Sequence, residues 1–315
     1  MRIRTVVNLA AMTTSLAAIG SAQPYAYVSN ISGSTLSIID TATNRLVSFV
    51  PVPAGPTGLA VSGDGAMVYV ASQSARSVSA VSAATKAVIW SVAVNATPTL
   101  LQLTPNGKQL YVSTTANQVL VIDTTQKKVV ENITVGTKPL QIAFNRAGTL
   151  AFVTNQLSGT VSVIDTSRQS VIRTFTTASG PNGIKVTSDD RFVYVTNQYA
   201  NAVTVHDAAT GSTVSTITGC PGANWLAMTP NGRRALVTCP NTMTVKAIDT
   251  TSRTIVGSLP TGMLPQSVVV SADGSRAYVA NQYSMTLTSI DVRRMAVLET
   301  ITRAAIYPVV VAMEP

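Results

Sequence analysis

The chain of 315 residues realigns with itself at a period of 42. The clearest marker is a tetrapeptide: Tyr27-Val28-Ser29-Asn30, Tyr69-Val70-Ala71-Ser72, Tyr111-Val112-Ser113-Thr114, Phe152-Val153-Thr154-Asn155, Tyr194-Val195-Thr196-Asn197, Leu236-Val237-Thr238-Cys239 and Tyr278-Val279-Ala280-Asn281. Successive copies start 41 or 42 residues apart. A second marker is the acid that closes an apolar run: Asp40, Asp123, Asp165, Asp207, Asp249 and Asp291, with Ser82 in the second copy. A third is the turn before each tetrapeptide, as in Asp64-Gly65, Asn106-Gly107 and Asp273-Gly274. Self-similarity at this period restricts the chain to a solenoid, a propeller or a repeat array.

Each copy reads as four short strands. Val161 to Ile164 alternates and stops at Asp165-Thr166, where the carboxylate closes an Asx-type turn. Val171 to Phe175 alternates again, then a Pro-containing linker leads to Ile184–Thr187, a turn, and Phe192–Thr196. Val, Ile, Thr and Tyr dominate, as a pleated, partly buried surface favours. No stretch keeps a 3.6-residue period. Four strands in about 40 residues describe a propeller blade. The predicted fold is therefore all-β: a seven-bladed β-propeller of four-stranded antiparallel blades. The strand after the Pro is innermost (A), the tetrapeptide is B, the Ile-Asp run is C and the outer edge is D. The first strand, Tyr25 to Asn30, is then a strand B, and Val309 to Met313 after Pro308 is a lone strand A. The ring is expected to close by pairing these two, because open sheet edges invite aggregation.

The tetrapeptides Phe152-Val153-Thr154-Asn155 and Tyr194-Val195-Thr196-Asn197, with their Ile-Asp-Thr and His-Asp-Ala strand ends, resemble the YVTN-family β-propeller repeat. That family includes YncE-like periplasmic proteins and archaeal surface-layer proteins. The resemblance covers all seven repeats and implies the propeller fold. It is nearly silent on function, because propellers carry unrelated activities on one scaffold.

Arg2 and Arg4 precede an apolar stretch from Thr5 to Ile19, and Gly20-Ser21-Ala22 puts small residues before Gln23. This is the pattern of a secretory signal peptide over residues 1–22, cut after Ala22, with one propeller domain over 23–315. The expected location is the periplasm, the cell surface or the medium. No apolar run reaches the roughly 20 residues of a membrane helix.

Repetition separates duties. A side chain present in nearly every blade serves the blade, whereas a site without seven-fold symmetry comes from residues that break the pattern. By this test Asn30, Asn155, Asn197 and Asn281 are structural, expected to bond backbone in the following loop. Of thirteen acids, only Glu131, Glu299 and Glu314 lie outside two turn positions on one face of the ring. That leaves no acid for the opposite face, where a calcium-dependent lactonase needs oxygen ligands. A lyase-like acid–base mechanism needs imidazoles, and His206 is the single histidine, expected to pack within strand C. No Ser-His-Asp arrangement, P-loop or haem-attachment motif is present, and the reading calls for no cofactor, metal or catalytic residue. Lactonase- or lyase-like catalysis stays as the alternative. Cations mingle with acids on the turn-rich face instead of forming a basic stripe with aromatics, so nucleic acid is not the expected partner. Periplasmic DNA binding, which resemblance to YncE-like proteins raises, is a minor alternative.

The pattern breakers lie on strand A and the loops beside it. Ala60, Ala143, Ala227 and Ala312 line the channel, but Gln102 and Lys185 replace them in two blades, with Gln141 and Trp225 one step nearer the mouth. Lys185 either binds a ligand or snorkels into channel water. Asn182, Asn224 and Gln266 follow the Pro positions, and Tyr199 and Tyr283 are large residues on the same loop face. Arg76, Lys138 and Arg303 are that face's cations. Donors and aromatics without acids favour a protein, a cell-surface component or a small polar or anionic ligand, with divalent cations rejected. The two cysteines add a covalent expectation. Folding the 224–239 hairpin sets Asn224 opposite Cys239, and the short Pro221-Gly222 loop brings Cys220 alongside. A Cys220–Cys239 disulfide suits a secreted chain; the alternative is two free buried thiols. The expected function is an exported, non-catalytic binding scaffold with its site at the loop-face channel mouth.

Overall fold

The tetrapeptide occupies the second strand of every sheet, and its alternating side chains serve both neighbouring blades. The computed structural model describes residues 25–313; the expected leader over residues 1–22 lies outside them. Seven four-stranded antiparallel sheets form the ring, the first ordered with Pro308–Met313 beside Tyr25–Asn30. Blade 1 consists of this pair with Thr35–Asp40 and Arg45–Pro51. Blades 2 to 7 follow in chain order, with strands A at Pro56–Val61, Pro98–Leu103, Pro139–Phe144, Pro181–Val186, Leu226–Met228 and Pro265–Val270. Among the described residues no helix is long and apolar enough to cross a membrane.

Strand B is covered on both faces, which is why it reads as a continuous apolar run. Side chains of a strand alternate between faces. The first residue of each tetrapeptide packs on the strand A aliphatic of the next blade, pairing Tyr27 with Leu59, Tyr69 with Leu101, Tyr111 with Ile142, Phe152 with Ile184, Tyr194 with Leu226, Leu236 with Val268 and Tyr278 with Val311 in seven separate clusters. The second residue turns the other way. Val195 joins the cluster shared with blade 4 and Val28 the one shared with blade 7.

The third residue latches adjacent blades. Thr154 and Thr196 donate their hydroxyls to the carbonyls of Asn182 and Asn224 at 2.7 and 2.6 Å, and Ser29 donates to Thr57 at 3.0 Å. Where Ala71 and Ala280 lack the hydroxyl, strand A supplies it. Thr57 donates to the carbonyl of Thr99 at 2.6 Å, and the Ser267 hydroxyl accepts the Val311 amide at 3.0 Å. The fourth residue corrects an expectation. The Asn Nδ2 reaches strand C hydroxyls instead of loop backbone: Asn30 bonds Thr35 and Ser37, Asn155 bonds Thr160 and Ser162, and Asn281 bonds Thr286 and Ser-equivalent Thr288. Asn197 bonds Thr204 and the carbonyl of Val195. The hydroxyl residues recur five and seven positions later, so two short rungs fix the B–C register.

Strand D is the open edge. In Ser170–Thr176 exposed and half-buried residues alternate until Phe175 is buried. Every C–D pair carries a register shift, as between Val163 and Ile164, which increases local twist and blunts the edge. At the C–D turns the aspartate accepts backbone amides, as Asp165 does from Ser167 at 2.9 Å and Arg168 at 3.0 Å.

Closure of the ring places Tyr27 opposite Ala312 and Val28 opposite Val311. Val310 and Val311 are 2% and 3% exposed. Burying such side chains stabilises by about 2 kcal/mol each. Deleting residues 308–315 is expected to remove about 4 kcal/mol or more and lower the melting temperature by roughly 5–10 °C, read by thermal unfolding. An unchanged melting temperature would contradict the closing role of this strand.

Candidate binding site at the channel mouth

Strand A positions the site because it lines the axis. The residues at the start of this strand in the seven blades, Thr57, Thr99, Leu140, Asn182, Asn224, Gln266 and Val309, all line one mouth cavity of about 350 Å³. Its polarity is one-sided. Asn182 donates to the Oδ1 of Asn224, whose Nδ2 donates to the backbone and side-chain oxygens of Gln266 at 2.8 and 2.9 Å. Gln266 passes the chain to Gln282 at 2.9 Å, and Gln156 donates to Gln198 at 3.0 Å. These bonds run between side chains of blades 4 to 7 and form an amide belt. Opposite stand Thr57, Thr99, Thr114, Thr115 and the aliphatic groups of Leu100, Leu140 and Val309. Lys138 is the one charged residue lining this cavity, held in a left-handed turn at φ 56° by Asn117, whose Oδ1 accepts its amide.

Trp225 marks the floor. It packs on the cluster of its own blade with blade 7 and also on the cluster of blades 1 and 2, so the indole crosses the axis. Trp225 and Leu100 line both the mouth and a second cavity of about 230 Å³. Gln102, Gln141 and Lys185 line this inner chamber with Leu59, Val268 and Val310. Gln141 Oε1 accepts the Ile184 amide at 2.6 Å, which leaves its amide nitrogen for the chamber. Burial holds the Lys185 ammonium below the usual lysine range.

The predicted residues thus divide. Lys138, Asn182, Asn224, Gln266 and Trp225 come together at the mouth, and Gln102, Gln141 and Lys185 beneath it. Tyr199 and Tyr283 line neither cavity and are 55% and 60% exposed. Tyr199 lies over Gly180, whose missing side chain leaves room for the ring: a Cβ there would come within 2.6 Å of it. The ring therefore covers its own blade's D–A loop instead of pointing at the axis. Arg76 and Arg303 also line neither cavity. Gln73, Gln156 and Gln198 line the mouth without having been singled out. Their signal was present, since Gln follows the tetrapeptide in four copies, next to the loop that leads from strand B.

Cys220 and Cys239 are joined by a disulfide with a Cα–Cα distance of 5.2 Å, and both are buried. The bond ties the D–A loop carrying Asn224 and Trp225 to the end of strand B. In two other blades an Asn Oδ1 makes that tie, accepting the Ile306 amide in blade 1 and the Thr177 hydroxyl in blade 5, whereas Asn155 and Asn281 leave theirs unbonded.

His206 lies far from this site. It occupies a strand C position filled by Ile164 and Ile248 in other blades, and it is fully buried beside Phe175. Nδ1 lies 3.1 Å from the carbonyl of Gly211, so Nδ1 carries the proton, and Nε2 accepts the Thr204 hydroxyl at 2.9 Å. Burial lowers its pKa below the ordinary 6.5, partly opposed by the Gly211 bond.

Two measurements follow from these environments. The unfolded chain takes up the His206 proton near pH 6.5 and the folded chain only at lower pH. Stability is therefore full above 6.5 and falls as pH drops toward the depressed folded value, by at most about 1.4 kcal/mol per pH unit. His206→Ile is expected to remove that slope in urea titrations between pH 7 and pH 5; an unchanged slope would rule the assignment out. For the cysteines, non-reducing mass spectrometry of exported protein should show the loss of two hydrogens. Cys220→Ser with Cys239→Ser should cost about 3 kcal/mol for a loop of roughly 20 residues. Two titratable thiols in denaturant without reductant would sink the bridge.

No curated protein matches the sequence. Many solved structures share the fold. Hydrazine synthase of Kuenenia stuttgartiensis aligns at 23% identity over 84% of this chain and 91% of that chain, with a TM-score of 0.78. A functionally unknown protein from Desulfotomaculum acetoxidans aligns at 15% identity over 92% and 98%, with a TM-score of 0.81. A candidate 6-phosphogluconolactonase from Bacteroides fragilis aligns at 16% identity over 94% and 99%, with a TM-score of 0.77. Likeness at such identities shows the fold alone. The sequence itself matches the YNCE-like beta-propeller family over residues 2–102 and 149–310, and with the seven blades in view the chain belongs to that family.

Proposed function

We propose that this propeller is an exported binding module whose mouth takes a polar group, neutral or anionic, of a protein or cell-surface component. The observation that carries the reading is the donor set of the mouth: a belt of amides, a row of threonine hydroxyls, one ammonium and no carboxylate. Amides and hydroxyls recognise other amides, hydroxyls and anions by direct hydrogen bonding, while the indole and aliphatic wall exclude water around them. The same donor set weighs against a calcium-dependent lactonase-like reaction, which needs carboxylate oxygens to hold the cation. The leader pattern around Arg2, Arg4 and Ala22 and the paired cysteines support export.

The reading is tested with purified protein on an array of neutral and acidic cell-surface glycans and peptides. Asn182→Ala with Asn224→Ala should weaken the bound members about 10-fold or more, since two hydrogen bonds of about 1 kcal/mol are lost. Lys138→Ala should weaken only acidic members, and that difference should shrink at high salt. Millimolar calcium should leave binding and melting unchanged. Full affinity in both variants would overturn the proposal.

A further inference from the structure

The inner chamber has a chemistry of its own. At the position that points down the channel, four blades carry Ala60, Ala143, Ala227 and Ala312 and a fifth carries Val269. Gln102 and Lys185 alone are polar there, and Gln141 lies on strand A beside them. Among the described residues the Lys185 ammonium has no hydrogen-bond or ion-pair partner, and none of the acids lines the chamber. The remaining wall is hydrocarbon and indole: Leu59, Val268, Val310, Val311 and Trp225.

An ammonium held among aliphatic groups without a counter-charge is costly, and a bound anion repays that cost. The fold does not require a lysine here, because alanine fills the same place in four other blades. The wall selects against a fully hydrated inorganic ion and favours an anion with an apolar body. We propose that the chamber beneath Trp225 binds a small monocarboxylate with a hydrocarbon chain. The carboxylate sits on Lys185 Nζ and the free amide nitrogens of Gln102 and Gln141, and the chain lies against Trp225, Val268 and Val310. This site is separate from the mouth, since Trp225 and Leu100 stand between the two cavities.

A carboxylate on Lys185 stabilises the ammonium form. Burial lowers the Lys185 pKa, so binding takes up protons wherever that amine is partly neutral, and affinity falls as pH rises through its titration.

Hexanoate is the probe, titrated into the full chain with Trp90→Phe so that Trp225 is the sole tryptophan reporting by fluorescence. Saturable binding is expected, with hexanamide and hexylamine inert and acetate weaker. Lys185→Ala should weaken hexanoate about 10-fold or more, the scale of a charge-assisted hydrogen bond, while the melting temperature stays within a few degrees. Gln102→Ala should weaken it less. Lys138→Ala and Asn182→Ala should leave it unchanged, so this site and the mouth stand or fall separately. Calorimetry in buffers of different ionisation heat should show proton uptake on binding that increases as pH is raised above neutral. Equal affinity in Lys185→Ala, or hexanamide binding as tightly as hexanoate, would overturn the proposal. Acetate binding as tightly as hexanoate would overturn its hydrocarbon part, and absence of saturation at millimolar hexanoate would overturn it whole.

Discussion

The ring rests on one repeated contact: the first side chain of strand B against the strand A aliphatic of the next blade. Because the valine beside it faces the previous blade, a single strand of period two supplies both interfaces. A lone blade would leave both faces bare, so the sheets are stable only as a closed set. Blade 6 shows how a weak copy is repaired. Its tetrapeptide begins with Leu236 instead of an aromatic and ends with Cys239 instead of Asn. It loses aromatic area toward blade 7 and the rungs to strand C, and its strand A shortens to Leu226–Met228. The covalent tie from Cys220 to Cys239 stands where a weaker Asn contact stands in blades 1 and 5.

That repair is also what frees the site. The loop held by the disulfide needs no proline at the start of strand A, where Ala223 stands. It presents Asn224 to the amide belt and Trp225 to the axis. At the Trp225 position blade 5 has Gly183, which packs so closely on the next strand A that a Cβ would meet the Asn224 carbonyl at 2.8 Å. A bulky residue fits in blade 6 because its side chain turns into the channel. Mouth and chamber are therefore divided by Trp225 of blade 6 with Leu100 of blade 3, whereas the walls of both are supplied by all seven blades.

The period of 42 made the blade count, strand order and ring closure legible before any coordinates, because each depends on pattern and not on side-chain direction. The structural role of Asn30 was legible too, but its partners were missed. Thr35 and Ser37 recur at fixed offsets and were the available clue. Gln156 and Gln198 were missed, although a residue that recurs beside the axis lies in the site by symmetry. Whether a loop side chain faces the axis is decided by what lies beneath it, which for Tyr199 is Gly180. Gln102, Gln141 and Lys185 were located because strand parity alone sends them inward.

The distribution of charge follows from the turns. An aspartate at a C–D corner accepts two backbone amides; at Asp165 the Ser167 hydroxyl, followed by the Arg168 and Ser167 amides and the Arg168 charge, lowers the carboxyl to about 2. Asp273 at an A–B corner is held at about 2 by Ser271 and Ser275 in the same way. The chain uses nearly all of its acids for such corners, and every corner of this kind lies on one face. The opposite face is built from D–A and B–C loops whose tight geometry comes from Pro, Gly and Asn, so it needs no carboxylate. An anion reaching the mouth meets amide donors and Lys138 with no repelling acid nearby. In the chamber behind Trp225, lower polarity strengthens whatever charge remains. The absence of carboxylates from the mouth is thus a consequence of how the fold closes its turns, and Lys185 adds to a field that the turn chemistry had already left free of negative charge.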